Sequence, residues 1–66
     1  MTHFEIYEDR QGEYRWRLRA DNNKVIADSS EGYKRKSSCE RGISLVTQQA
    51  PGARVEDRTQ GQEDQT

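Results

Sequence analysis

Residues 14–20, Tyr14-Arg15-Trp16-Arg17-Leu18-Arg19-Ala20, alternate without a fault between apolar and cationic side chains. Successive residues of a β-strand point to opposite faces of a sheet, so Tyr14, Trp16, Leu18 and Ala20 share one face while Arg15, Arg17 and Arg19 share the other. One face is to be covered and the other solvated, which is the pattern of an antiparallel sheet packed on a single side. The same period appears upstream in HFEIYE, residues 3–8, with Phe4 and Ile6 facing one way and Glu5 and Tyr7 the other. Between the two runs, Asp9-Arg10-Gln11-Gly12 offers a glycine for the positive φ of a hairpin loop. Downstream, Asp21-Asn22-Asn23 predicts a second turn, because Asn tolerates the left-handed region and can close an Asx-turn. KVIAD at residues 24–28 then supplies a third strand.

From residue 35 to residue 49 the period changes. Cys39, Gly42, Ile43, Val46 and Ala50 recur at spacings of three and four, the stripe of an amphipathic helix with one face for the sheet. Pro51-Gly52 ends it, since Pro cannot continue the hydrogen-bond ladder and Gly permits a reversal. ARVED, residues 53–57, reads as a short fourth strand with Val55 inward. The predicted class is α+β, an antiparallel β-meander with one helix packed on one face in the order β-β-β-α-β. Its expected core is Phe4, Ile6, Trp16, Leu18, Ile26, Tyr33, Ile43, Val46 and Val55. Gly42 inside a helix costs about 1 kcal/mol relative to Ala, which implies a packing reason, and close approach to Trp16 is the expected one.

The chain has 66 residues, enough for one domain with a small core. Residues 1–57 are read as that domain, and RTQGQEDQT, residues 58–66, as a disordered polar tail without an apolar side chain. With 11 Lys plus Arg against 12 Asp plus Glu, no net field recommends a nucleic acid or an anionic membrane. No apolar run is long enough to span a bilayer, and the N-terminus lacks the regions of a signal peptide. A single Cys makes no internal disulfide, so a reducing cytoplasm is the expected compartment.

FEIYEDRQGEYRWRLRADNNKVIADS followed by EGYKRKSSCERGISLV resembles the YegP-like small domains, a family without assigned function. The resemblance runs from about residue 4 to residue 57. It is carried by Gly12, Trp16 and Leu18 in and before the central strand, by Gly32-Tyr33 ahead of the helix, and by Gly42-Ile43 with Val46 within it. The family's usual Asn-Gly turn appears as Asn22-Asn23, and Lys34 stands where a polar capping residue is expected, a weaker cap than Ser or Thr. The resemblance implies the β-β-β-α-β fold. Because many members carry two such units in one chain, it also implies that units pair, which for a single-unit chain means a homodimer. It brings no catalytic residues.

Three guanidinium groups along one strand, Arg15, Arg17 and Arg19, with Tyr7 expected nearby, form the candidate interaction or nucleic-acid surface, since such a stripe can follow a phosphate backbone. The competing reading is that Glu5, Glu8 and Glu56 on neighbouring strands cover the same face with cross-strand ion pairs. Cys39 near a helix start beside Lys36 has the position of an activated thiol, but it lies on the apolar stripe and reads as a small buried hydrophobe. His3 is the only His and stands at the start of the first strand. One His and one Cys furnish neither a nucleophile–base pair nor a tetrahedral metal site, so no enzyme activity, cofactor, metal or small-molecule substrate is expected. The expected function is a non-catalytic, cytoplasmic, homodimeric interaction module, and the alternative is weak, sequence-tolerant nucleic-acid binding through the Arg stripe.

Overall fold

The computed structural model describes residues 1–59. Three strands, β1 (His3–Glu8), β2 (Tyr14–Arg19) and β3 (Val25–Asp28), form an antiparallel sheet in the order β1-β2-β3, followed by one helix, α1 (Lys36–Gln49). The turns form as their residues dictate. Gly12 takes φ +81° while its N–H donates to the Asp9 carbonyl at 3.0 Å, and Asn23 takes φ 72° with its N–H on the Ala20 carbonyl at 2.8 Å. Register between β1 and β2 follows the alternation, with Phe4 opposite Leu18, Ile6 opposite Trp16, Glu5 opposite Arg17 and Tyr7 opposite Arg15. The partition into an apolar and an arginine face therefore holds over two strands.

The helix crosses the apolar face over β2. Trp16 is buried in the middle of that contact, and its ring meets Phe4 edge-on at a centroid distance of 5.5 Å. Cys39 is fully buried on the inward side of α1. Gly42 has the packing reason its position implied, with a second neighbour besides Trp16. A Cβ there would lie 3.4 Å from Trp16 Nε1 and only 2.7 Å from the Tyr33 hydroxyl. Tyr33 itself is fixed by two backbone hydrogen bonds to Tyr14, 2.7 and 2.8 Å long, which extend the sheet beyond β2.

Four expectations are corrected. Residues 53–57 form no strand: after the 3₁₀ turn Ala50–Gly52 the chain is extended at Ala53 but pairs with no part of the sheet, and Val55 is 93% exposed. The order is β-β-β-α, and Val55 is not core. Ile26 is 58% exposed because β3 slips by one residue between Val25, which faces Arg19, and Ala27, which faces Leu18, leaving Ile26 as the unpaired residue of a bulge. The helix begins one residue later than its periodicity suggested, with Arg35 rather than Lys34 at the N-cap and no side-chain cap bond. Enclosure of the core is also smaller than expected, since Trp16 and Cys39 are buried whereas Phe4, Ile6, Leu18, Tyr33, Ile43 and Val46 are half-buried. The tail expected at residues 58–66 lies, from residue 60 on, outside the described residues.

Gly42→Ala tests the helix contact. Better helix propensity favours Ala by about 1 kcal/mol, but forcing a methyl against the Tyr33 ring costs about 1–3 kcal/mol. A net destabilisation is expected, read as a lower urea midpoint at fixed protein concentration; an unchanged or raised midpoint would show that Tyr33 yields freely.

Candidate functional site

The outer face of the sheet carries the three arginines, because β2 has them at every second position and β1 pairs with it residue for residue. The structure brings Arg15, Arg17, Arg19 and Tyr7 together on this face, as the alternation predicts, and gives each guanidinium a local partner. Arg15 Nε donates to Asp9 Oδ2 at 2.7 Å, and Arg19 Nε donates to Glu5 Oε1 at 2.9 Å. Arg17 lies between them, 3.6 Å from the same Glu5 oxygen, with its guanidinium 4.0 Å from the centroid of the Tyr7 ring. Its Nε is buried without a hydrogen-bond partner, so stacking on Tyr7 and attraction to Glu5 hold it in place.

Glu5 does what the cross-strand reading asked of it, and the other two carboxylates do not. Glu8 stands opposite Tyr14 at the helix side of the sheet, as its even position in the alternation requires, and Glu56 pairs with Arg54 and Arg58 at 3.2 and 3.3 Å, away from the sheet. The carboxylate that sequence reasoning missed is Asp9. Read as a turn former only, it accepts the backbone N–H groups of Gln11 and Glu13, both at 2.9 Å, through one oxygen and Arg15 through the other. A hairpin loop that begins with Asp directly after a strand, six residues before an outward Arg, carries that signal. Asp28, opposite Arg17 in the β2–β3 register, is a third carboxylate on the face. The guanidinium groups are thus set against Glu5 and Asp9, with Asp28 on the same face but in contact with none of them.

The titration behaviour follows. The hydrogen bond from Arg15, then those from the loop N–H groups, hold the Asp9 carboxyl below its ordinary value, and Arg19 followed by His3 does the same for Glu5. His3 is pushed up, first by its contact with the Met1 carbonyl and then by Glu5. Burial, followed by the nearby Glu40 charge, pushes the Cys39 thiol up, which disfavours the thiolate a nucleophile needs. Among the described residues no group of three His, Cys, Asp or Glu side chains is placed to hold a metal ion, and no helix is long and apolar enough to cross a membrane.

On the opposite side, an open groove of about 520 Å³ lies between β1 and the first half of α1. Phe4, Ile6 and Tyr14 form its apolar floor, and Glu8, Lys36 and Glu40 stand around it. Neither the sequence pattern nor the helix stripe announced this groove. It exists because α1 sits over β2 and leaves the inner side chains of β1 half covered.

Comparison with known proteins places this arrangement in a recurrent fold. Residues 9–57 match the model of a domain of unknown function, DUF1508. A UPF0339 protein of Methanosarcina acetivorans is 49% identical over 55 residues, covering 83% of this chain and 93% of the relative. A UPF0339 protein of Stutzerimonas stutzeri is also 49% identical, over 59 residues that cover 88% of this chain but 52% of the relative. Among solved structures, that of a Haloferax volcanii protein superposes with a TM-score of 0.80 at 45% identity, covering 85% of this chain and 93% of the other. A protein from Agrobacterium tumefaciens superposes with a TM-score of 0.72 at 38% identity, covering 91% and 95%.

The Asp9–Arg15 contact sets a pH dependence of definite sign. A lowered carboxyl pKa contributes stability that is present above the ordinary carboxylate value, about 3.9, and is lost as pH falls through the lowered value. The Asp9 carboxyl carbon, followed by NMR against pH, is expected to titrate below that value in the natural chain and to return towards it in Arg15→Gln. A midpoint unmoved by the substitution would mean that the loop N–H groups alone hold the charge.

Proposed function

The chain belongs to the DUF1508 family, the same family as the YegP-like domains and the UPF0339 proteins, and on that footing we propose that it is a non-catalytic interaction module that acts as a homodimer. The observation that carries this reading is how little apolar surface one copy encloses. Among the described residues Trp16 and Cys39 alone of the hydrophobic side chains are buried, while Ile26, Leu45 and Val55 are exposed and the inner side chains of β1 are half open. A domain of this size is marginal on such a core, and a second copy supplies the missing burial at no cost in new sequence. A symmetric pair is the ordinary solution.

The chemistry of the site supports a non-catalytic role. The one Cys is buried with a raised pKa, the one His lies on the outer face far from it in sequence, and Glu5 and Asp9 on that face are engaged by arginines. A buried thiol in a chain with one Cys suits the reducing cytoplasm, which is the compartment proposed.

Nucleic-acid binding through Arg15, Arg17, Arg19 and Tyr7 is the weaker proposal. Phosphate contacts would have to compete with Asp9 for Arg15 and with Glu5 for Arg17 and Arg19. If that proposal held, affinity for a single-stranded oligonucleotide would fall steeply between roughly 50 and 200 mM salt.

Sedimentation equilibrium of the full chain over a wide concentration range discriminates the two. A dimer that persists at low micromolar concentration, little affected by salt, is the expected result. A monomer at every concentration would remove the homodimer reading.

A further inference from the structure

The imidazole is the side chain whose charge ordinarily changes near neutral pH, and His3 is the only one in this chain. It stands at the outer corner of the sheet, at the start of β1 and opposite Arg19 in the β1–β2 register. Both ring nitrogens face oxygen. Nδ1 lies 3.0 Å from the Met1 carbonyl, and Nε2 lies 3.3 Å from Glu5 Oε2. A carbonyl and a carboxylate accept hydrogen bonds and donate none, while a neutral imidazole carries one N–H and an imidazolium two. Only the protonated ring satisfies both neighbours at once. In the neutral ring one nitrogen turns a lone pair towards an oxygen.

The two neighbours lead to different parts of the fold. Glu5 ties the ring to the arginine stripe, since its other oxygen lies 2.9 Å from Arg19 Nε and 3.6 Å from Arg17 Nε. Met1 ties it to the turn between β2 and β3, where the Met1 ammonium lies 3.3 Å from Asp21 Oδ1 and the Thr2 hydroxyl donates to the same oxygen at 3.4 Å. The charges around His3 thus come from its own strand in Glu5, from β2 in Arg17 and Arg19, and from the Met1 ammonium with Asp21 at the turn. The Met1 carbonyl and then Glu5 favour the protonated ring, and desolvation and the Met1 ammonium pull against them without cancelling the rise.

We propose that His3 is a pH-sensitive latch: as the imidazolium it holds Met1 and Glu5 together across the corner of the sheet, and on losing its proton it keeps Glu5 and lets the Met1 carbonyl go. The carboxylate retains the remaining N–H because it is the stronger acceptor. The bare Nδ1 then faces the Met1 carbonyl, and the exposed contacts of Asp21 with Met1 and Thr2 are too weak to hold residues 1–2 against the turn by themselves. The same step removes one positive charge from the outer face beside Arg17 and Arg19. The sign follows from linkage. Because the folded value is raised, the latch contributes stability that is fully present below the ordinary value of 6.5 and is lost as pH rises through the raised one. The latch lies within one copy and does not depend on the homodimer.

The test is an NMR pH titration of the full chain that follows the His3 ring nitrogens and the amide signals of Thr2 and Asp21. The expected result is a His3 midpoint above 6.5, the Nε2–H tautomer above that midpoint, and Thr2 and Asp21 shifts that move with it. In Glu5→Gln the three midpoints are expected to fall together. A His3 midpoint at or below 6.5 in the natural chain overturns the latch, as does an Nδ1–H tautomer, which would keep the Met1 contact in the neutral ring. Thr2 and Asp21 signals that hold still, or that keep their midpoint while that of His3 falls in Glu5→Gln, show that the N-terminal residues answer to another group and overturn it as well. The tautomer is decided in the natural chain, so the latch stays open to disproof even where Glu5→Gln weakens the fold.

Discussion

The structure depends on the seating of Trp16. It occupies the middle of the central strand, so its backbone is pinned from both sides, opposite Ile6 on β1 and by Ser29 beyond β3. The Ser29 N–H donates to the Trp16 carbonyl at 2.9 Å, and the Ser29 hydroxyl accepts the Trp16 N–H at 3.1 Å, so one buried serine completes the ladder with a side chain where the strand has ended. The indole then determines what can lie above it. Only a helix with a glycine at position 42 approaches closely enough, and Tyr33 closes the remaining side. A Trp in this place fixes strand register, helix position and the need for Gly42 together, because each of those features is shaped to one rigid ring.

Once Trp16 faces the helix, the arginines have no choice of face. Period two turns them outward, and a stripe of three like charges at that spacing repels itself unless it is neutralised. The fold meets this with short-range chemistry. Glu5 on the neighbouring strand serves two arginines, the first hairpin lends Asp9, and Tyr7 accepts the guanidinium that has no close carboxylate of its own. The face that looks most like a ligand site in the sequence is thereby largely engaged within the chain, Arg17 Nε excepted. The helix-side groove, without a sequence signature, is the surface left open.

What could be read from the residues was whatever depends on local periodicity. Strands β1 and β2, their turns, the helix and the pairing of Glu5 with the Arg stripe all follow from spacing, because alternation and turn chemistry act over a few residues. Ile26 could not be read in this way. KVIAD alternates well enough, and only the geometry of Asn22-Asn23 and the ladder beyond it determines that one residue is skipped. Ser29 is one of two adjacent serines with nothing to mark it as buried. Asp9 is hidden by its first role, since a turn former is not counted as an ion-pair partner until the turn places it beside Arg15.

Val55 differs in kind from these cases. ARVED keeps the alternation and Ala53 has extended dihedrals, although residues 53–57 form no strand. Being a strand is a relation, however. Alternation states that a segment can present one apolar face to a sheet, and leaves unsaid which sheet that is. An edge strand with an uncovered inner face and a strand-like segment with no sheet are each costly to expose, the first through unpaired backbone and half-buried Phe4 and Ile6, the second through Val55.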